Sequence, residues 1–141
     1  MIHFFIEDVV FRLPNQKSVA RWLTQIALYE HKAISEISYI FCSDEYLLKI
    51  NQQYLHHDYY TDVITFDHRD VPDAPLQADI FISYERVTDN ARQLNCSPND
   101  EILRVMAHGL LHLIGYNDAT PKEKKLMRVL EDTYLEKYIS L

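Results

Sequence analysis

His108-Gly109-Leu110-Leu111-His112-Leu113-Ile114-Gly115-Tyr116-Asn117-Asp118 is the stretch around which the rest of the chain is organised. Its two histidines stand four apart in an apolar helical pattern, so both imidazoles leave the same face. The chain has seven His in 141 residues. Chance alone then supplies about one such pair in every three chains of this kind, so the pair by itself is weak. The glycines carry it further, because the chain has only two and both lie here. Gly115 follows the last apolar residues of the helix, where a left-handed residue reverses the chain and turns Asp118 back toward His112. Gly109 sits mid-helix, where glycine costs ~1 kcal/mol relative to alanine. Its presence implies close approach of a ligand or another backbone.

The same places are used by the zinc-protease pattern H-E-x-x-H-x-x-G-x-x-H, with two substitutions. Asp118 occupies the place of the third ligand, and a carboxylate is an acceptable one. Gly109 occupies the place of the catalytic glutamate, which disfavours peptidase chemistry. The reading is one divalent metal ion held by His108, His112 and Asp118. Zinc is the first choice for two imidazoles, with other transition ions such as nickel left open. Three protein ligands leave a position for water, whose pKa the ion lowers while polarising an ester or phosphoryl oxygen. No catalytic side chain is identified beyond that water.

Working outward, Ser97-Pro98-Asn99-Asp100 opens the histidine helix with Ser at the cap and Pro at the first position. Thr120-Pro121-Lys122-Glu123 repeats the signal and opens a last helix carrying Leu126, Val129, Leu130 and Leu135. Upstream, residues 2–6 read as a strand, and Lys17 to Tyr29 as an amphipathic helix. Ile34 to Phe41 alternates like a strand. Ser43 caps a helix with Leu47, Leu48, Ile50 and Tyr54 as its buried stripe. Strands over Thr61–Phe66 and Ala78–Ser83 flank an acidic loop, and a helix spans Tyr84 to Leu94. The order β-α-β-α-β-β-α-α-α predicts a single-domain α+β fold. Its sheet is expected to be mixed and about four-stranded, with helices packed on it and the metal site on a helix and the turn after it.

Nothing approaches an apolar run of ~18 residues, and the N-terminus lacks the pattern of a signal peptide. No membrane association is expected, and a cytoplasmic location is. Cys42 and Cys96 are too few for a disulfide framework, and neither sits in a Cys-x-x-Cys pair. The net charge of −7 argues against coating nucleic acid by bulk attraction. Much of the excess is local, however, since residues 55–83 hold six Asp against one Arg.

With those residues in place, the chain resembles the YbeY family of single-domain bacterial proteins. The signature His-Gly-x-Leu-His-Leu-x-Gly-Tyr-Asp-His is similar to residues 108–118 here, with Asp118 replacing its last His. Thr61-Asp62-Val63-Ile64-Thr65-Phe66 resembles a second block of the family, and Ala78-Asp79-Ile80-Phe81-Ile82-Ser83 a third. The resemblance covers residues 51 to 118. It implies a metal-dependent endoribonuclease specific for single strands, acting in ribosomal RNA maturation and ribosome quality control. The implied partners are RNA and the ribosomal small subunit. One departure stands out: Asn51-Gln52-Gln53-Tyr54-Leu55 has Leu55 where the family carries an arginine associated with activity. His56 and His57 follow directly and are the nearest groups able to compensate.

Other residues have quieter readings. Arg104 lies one turn before His108, placed either to contact a substrate phosphate or to pair with Glu101. His56-His57-Asp58 reads most simply as a solvated turn, and His68 likewise. Lys122, Lys124, Lys125 and Arg128 form a basic patch that is either a guide for RNA or a solvated face. Two rival functions remain: a ribosome assembly factor with a structural metal, and a metal-dependent hydrolase of another substrate.

Overall fold

The computed structural model describes residues 1–139. The elements run β1 (Ile2–Ile6), α1 (Gln16–Tyr29), β2 (Ile34–Cys42), α2 (Asp44–Leu55), β3 (Val63–Asp67), β4 (Leu76–Ser83), α3 (Tyr84–Gln93), α4 (Pro98–Ile114) and α5 (Pro121–Ile139). The order agrees with the pattern read from the sequence. The sheet is four-stranded, in the order β1-β2-β4-β3. β1, β2 and β4 are parallel and β3 pairs antiparallel with β4, so the sheet is mixed as expected.

Alternation along the strands divides the core in two. Ile37, Tyr39 and Phe41 of β2 and Ala78, Ile80 and Ile82 of β4 face a layer made by α1, α3, α4 and α5. Cys42, Ile64, Phe66 and Phe81 face the other way, where Leu47 and Ile50 of α2 cover them. Trp22, Leu23 and Ile26 of α1 and Ile102, Met106 and Leu110 of α4 are fully buried, each such side chain contributing ~1.5–3 kcal/mol. Two polar side chains in this layer find backbone partners: Trp22 Nε1 donates to the Tyr134 carbonyl at 2.8 Å, and the Tyr39 hydroxyl to Met106 at 3.0 Å.

β3 is an edge strand. The Ser83 N–H donates to the Asp62 carbonyl and the His68 N–H to that of Gln77. The intervening register therefore turns the backbone groups of Val63, Thr65 and Asp67 to the open edge. α4 lies across β3 and β4, and Gly109 is what brings it close. A Cβ there would sit 3.0 Å from Ile80 Cγ2 and 3.5 Å from Thr65 Oγ1. The close approach expected at this glycine is to the sheet rather than to a ligand.

Some local expectations need correction. Ser97 occupies the cap of α4, but only its backbone carbonyl bonds into the helix, to the Glu101 N–H; the hydroxyl makes no capping bond. Tyr54 is exposed rather than part of the α2 stripe, and Leu48 is half-buried. On α5, Leu126 and Val129 face solvent, while Met127, Glu131, Tyr134 and Leu135 face inward. The polar groups of Glu131 and Tyr134 are satisfied inside, so hydrophobic spacing alone misjudges which way that helix is turned. The Thr120–Glu123 capping box does form: the Thr120 N–H donates to Glu123 Oε1 at 2.9 Å, and the Glu123 N–H to Thr120 Oγ1 at 3.1 Å. β3 starts two residues later than expected and β4 two residues earlier. Both cysteines are free thiols, Cys42 buried and Cys96 exposed. Among the described residues no helix is long and apolar enough to cross a membrane.

Candidate metal centre

α4 ends in a Schellman motif. Gly115 stands at φ 130°, its N–H reaches the His112 carbonyl at 3.1 Å, and the Tyr116 N–H reaches that of Leu111 at 3.0 Å. The turn that follows is pinned by the Tyr116 hydroxyl, which donates to Glu30 on the α1 side at 2.6 Å. Asp118 is thereby carried back over the helix. Its Oδ1 lies 3.2 Å from His112 Nε2 and its Oδ2 lies 3.4 Å from His108 Nε2. One ligand atom from each of the three residues falls within 4.8 Å of the others, and all three residues are half-buried. Bonds of 2.0–2.1 Å around a tetrahedral ion would separate ligand atoms by about 3.4 Å. The donor set is thus spaced for one small divalent cation. No other such group of His, Cys, Asp or Glu occurs among the described residues.

Behind His108 stands a carboxylate that the sequence did not announce. Glu131 Oε2 of α5 is 2.6 Å from His108 Nδ1, and Glu131 is only 5% exposed. This is the arrangement by which metal-ligating histidines are oriented, with Nδ1–H donated to a carboxylate and Nε2 directed at the ion. Burial opposes the charged imidazole. The Glu131 hydrogen bond and the charges of Glu131, Asp118 and Asp62 outweigh it and hold the His108 pKa above its ordinary value.

Arg104 serves the same cluster. Its guanidinium lies 3.5 Å from Glu101, 3.5 Å from Glu131 and 2.5 Å from Asp132. It borders a small recess beside His108 and Asp118, together with Lys124 and Arg128 of the basic patch. Glu101 is buried and its Oε1 has no hydrogen-bond partner; burial raises its pKa despite Arg104 and Arg128 nearby.

The centre opens into a cleft of about 480 Å³ that runs along the β3 edge, with the end of α2 opposite. Leu55 and His57 both line it, as do Asp62 and Asp67. His56 does not; it adopts φ 56° and ends α2. Below the cleft Arg69 is fully engaged, gripping Asp67 through Nε at 3.0 Å and a terminal nitrogen at 2.8 Å while donating to the Leu113 carbonyl at 2.9 Å. The Arg69 hydrogen bond is the main reason the Asp67 carboxyl stays below its usual range. His68 lies on the far face of the sheet, 3.0 Å from Asp79.

The sequence profile of the family described as Endoribonuclease YbeY matches residues 6–139. The chain belongs to the YbeY family. A Cytophaga hutchinsonii protein named Endoribonuclease YbeY is 52% identical over 134 residues, covering 95% of this chain and 93% of that one. A Flavobacterium johnsoniae protein of the same name is 46% identical, with coverage of 94% and 93%. The solution structure of a Thermotoga maritima protein superimposes with a TM-score of 0.68 at 28% identity, over 98% of this chain and 89% of that one. The YbeY resemblance read from residues 51 to 118 therefore extends across nearly the whole chain.

Glu131, Asp62 and the placement of His57 were not evident as parts of the site from the sequence. A usable signal existed for Glu131, since it falls in step with the buried positions Met127, Tyr134 and Leu135. An acidic residue on a buried stripe needs a partner.

Proposed function

We propose that residues 1–141 act as one metal-dependent hydrolase domain, a single-strand-specific endoribonuclease that works in ribosomal RNA maturation and ribosome quality control. The observation that carries this reading is the spacing of His108, His112 and Asp118, backed by Glu131, in a chain of the YbeY family. In this reading the three residues hold one divalent ion, with zinc suited to two imidazoles and a carboxylate. The substrate is RNA, with ribosomal RNA or the small subunit as its source, and the cytoplasm is the compartment. The bound ion supplies Lewis acidity and an acidified water at neutral pH.

The chain's own residues do the rest. Glu131 holds His108 with Nε2 toward the centre, and the Arg104 guanidinium stands 3.5 Å from Glu131 on its other side. Arg104 thus acts through Glu131, its charge being shared among three carboxylates. Asp118 faces both imidazoles with one oxygen each. The place where a zinc protease of this spacing has its glutamate is Gly109, pressed against Ile80, which leaves no peptidase base there.

The test is metal analysis and RNA cleavage on the same preparations. His112→Ala and Asp118→Ala should each lose stoichiometric metal and RNase activity together. Cleavage by metal-free variant protein would overturn the mechanism, and tight ribosome binding by a wild type that cleaves no RNA would point to the assembly-factor reading.

A further inference from the structure

The cleft has an electrostatic problem if its substrate is a polyanion. Asp62, Asp67 and Asp118 line it, and none of its described lining residues is Lys or Arg. Arg69 beneath it is occupied by Asp67 and two backbone carbonyls. Among its described lining residues other than His108 and His112, His57 is the one side chain able to carry positive charge.

That histidine is held on purpose-built supports. The His57 N–H donates to the Asn51 carbonyl at 3.1 Å. Asn51 itself is buried, and its Nδ2 donates to the Tyr59 carbonyl at 2.9 Å. Gln52 Nε2 fixes Asp58 Oδ1 at 2.6 Å. Three hydrogen bonds from the last turns of α2 thus clamp an exposed loop whose residues bury little. The ring is fixed as well, stacked on Tyr59 with centroids 5.1 Å apart and with Nδ1 3.0 Å from the Tyr59 hydroxyl.

We propose that His57, oriented by Tyr59, is a substrate-contacting residue that donates from Nε2 to the RNA phosphate across the cleft from the metal ligands. With the phenol hydrogen on Nδ1, the neutral ring carries its N–H at Nε2; the imidazolium carries one on both nitrogens. Either form therefore presents a donor where a phosphate oxygen needs one. Leu55, two residues earlier at the end of α2, offers only an aliphatic wall, so the contact falls to His57. The inference rests on the endoribonuclease reading.

The experiment compares wild type, His57→Ala, His57→Gln, Tyr59→Phe and Lys124→Ala, each loaded with one equivalent of Zn2+. Cleavage of a single-stranded RNA is measured together with binding of its 2′-O-methyl analogue. His57→Ala should lose about 10²-fold in kcat/KM, the scale of removing one placed donor from a reacting oxyanion. It should also bind the analogue more weakly, with metal content and thermal midpoint unchanged. His57→Gln, which keeps a donor, should recover part of the loss, and Tyr59→Phe should show a smaller one. A wild type that cleaves, with His57→Ala cleaving and binding equally well, overturns the inference and leaves the endoribonuclease reading standing. So does a loss confined to Lys124→Ala. A wild type that neither cleaves RNA nor binds the analogue overturns both.

Discussion

Glu131 Oε2 lies 2.6 Å from Nδ1 of His108, so α5 supplies the support for the first histidine of the candidate metal centre. The contact joins α5 to α4 at a point where both groups are largely withdrawn from water. An acceptor at Nδ1 fixes the tautomer and makes Nε2 the ligating atom.

Replacing Glu131 by Gln keeps the shape and removes the charge. Metal affinity should fall about 10- to 100-fold, as is typical when such a supporting group is lost. Competition against a chelator of known affinity measures this directly. Because Gln keeps an oxygen able to accept from His108 Nδ1 and Ala keeps none, Glu131→Ala should be worse than Glu131→Gln. Unaltered affinity in both variants would mean that the turn alone positions His108.

Gly115→Ala tests that turn separately. Nothing lies within 4 Å of a Cβ at this position, yet the backbone stands at φ 130°. The cost is therefore conformational, about 1–2 kcal/mol, and should appear as a lower urea midpoint. Relaxation of the turn would also move Asp118, so metal affinity should fall with stability.

Asp44 ties the start of α2 to α3, accepting from Arg86 at 2.6 Å and from Ser83 at 2.9 Å. Burial works against its charge, but those hydrogen bonds and the guanidinium outweigh it and hold its pKa below the ordinary 3.8. A carboxyl depressed on folding stabilises the protein above its unfolded pKa, and that stabilisation is lost as pH falls through the folded value. Asp44→Asn should therefore lower the thermal midpoint at neutral pH, and the gap from wild type should close below about pH 3.8. A gap that stays constant down to acid unfolding would show that the pair contributes through shape and not charge.

The candidate metal ligands could be picked out from the sequence because their geometry is local. His108, His112, Gly115 and Asp118 lie within three turns' length of chain, and helix periodicity plus one left-handed residue suffices to bring them together. The order of elements was legible for a similar reason, as caps and alternation are short-range signals. What escaped depends on contacts distant in sequence. Glu131 meets His108 across 23 residues, and its inward face reverses the apolar stripe drawn through Leu126 and Val129. His57 reads as a turn residue until α2 and the β3 edge form opposite walls of one cleft. Arg69 is the one Arg among the six Asp of residues 55–83, and only its reach to the Leu113 carbonyl, 44 residues on, ties that loop to α4.

Gly109 sets two effects against each other, and the structure decides between them. Helix propensity favours alanine over glycine by about 1 kcal/mol, so Gly109→Ala would stabilise an isolated helix. Here the added Cβ meets Ile80 Cγ2 at 3.0 Å and Cδ1 at 3.4 Å. Ile80 is fully buried in the central strand β4, and protein interiors are close-packed. Overpacking of this kind costs about 1–3 kcal/mol, so the net effect should be destabilising. Moving α4 outward to relieve it would carry His108 and His112 away from Asp118 as well. Urea denaturation of Gly109→Ala should show a lower midpoint with an unchanged slope. Ile80→Val, which shortens the side chain by the Cδ1 carbon, should cost less in the Gly109→Ala background than in wild type. A Gly109→Ala protein more stable than wild type would show that helix propensity wins and that α4 has slack against the sheet.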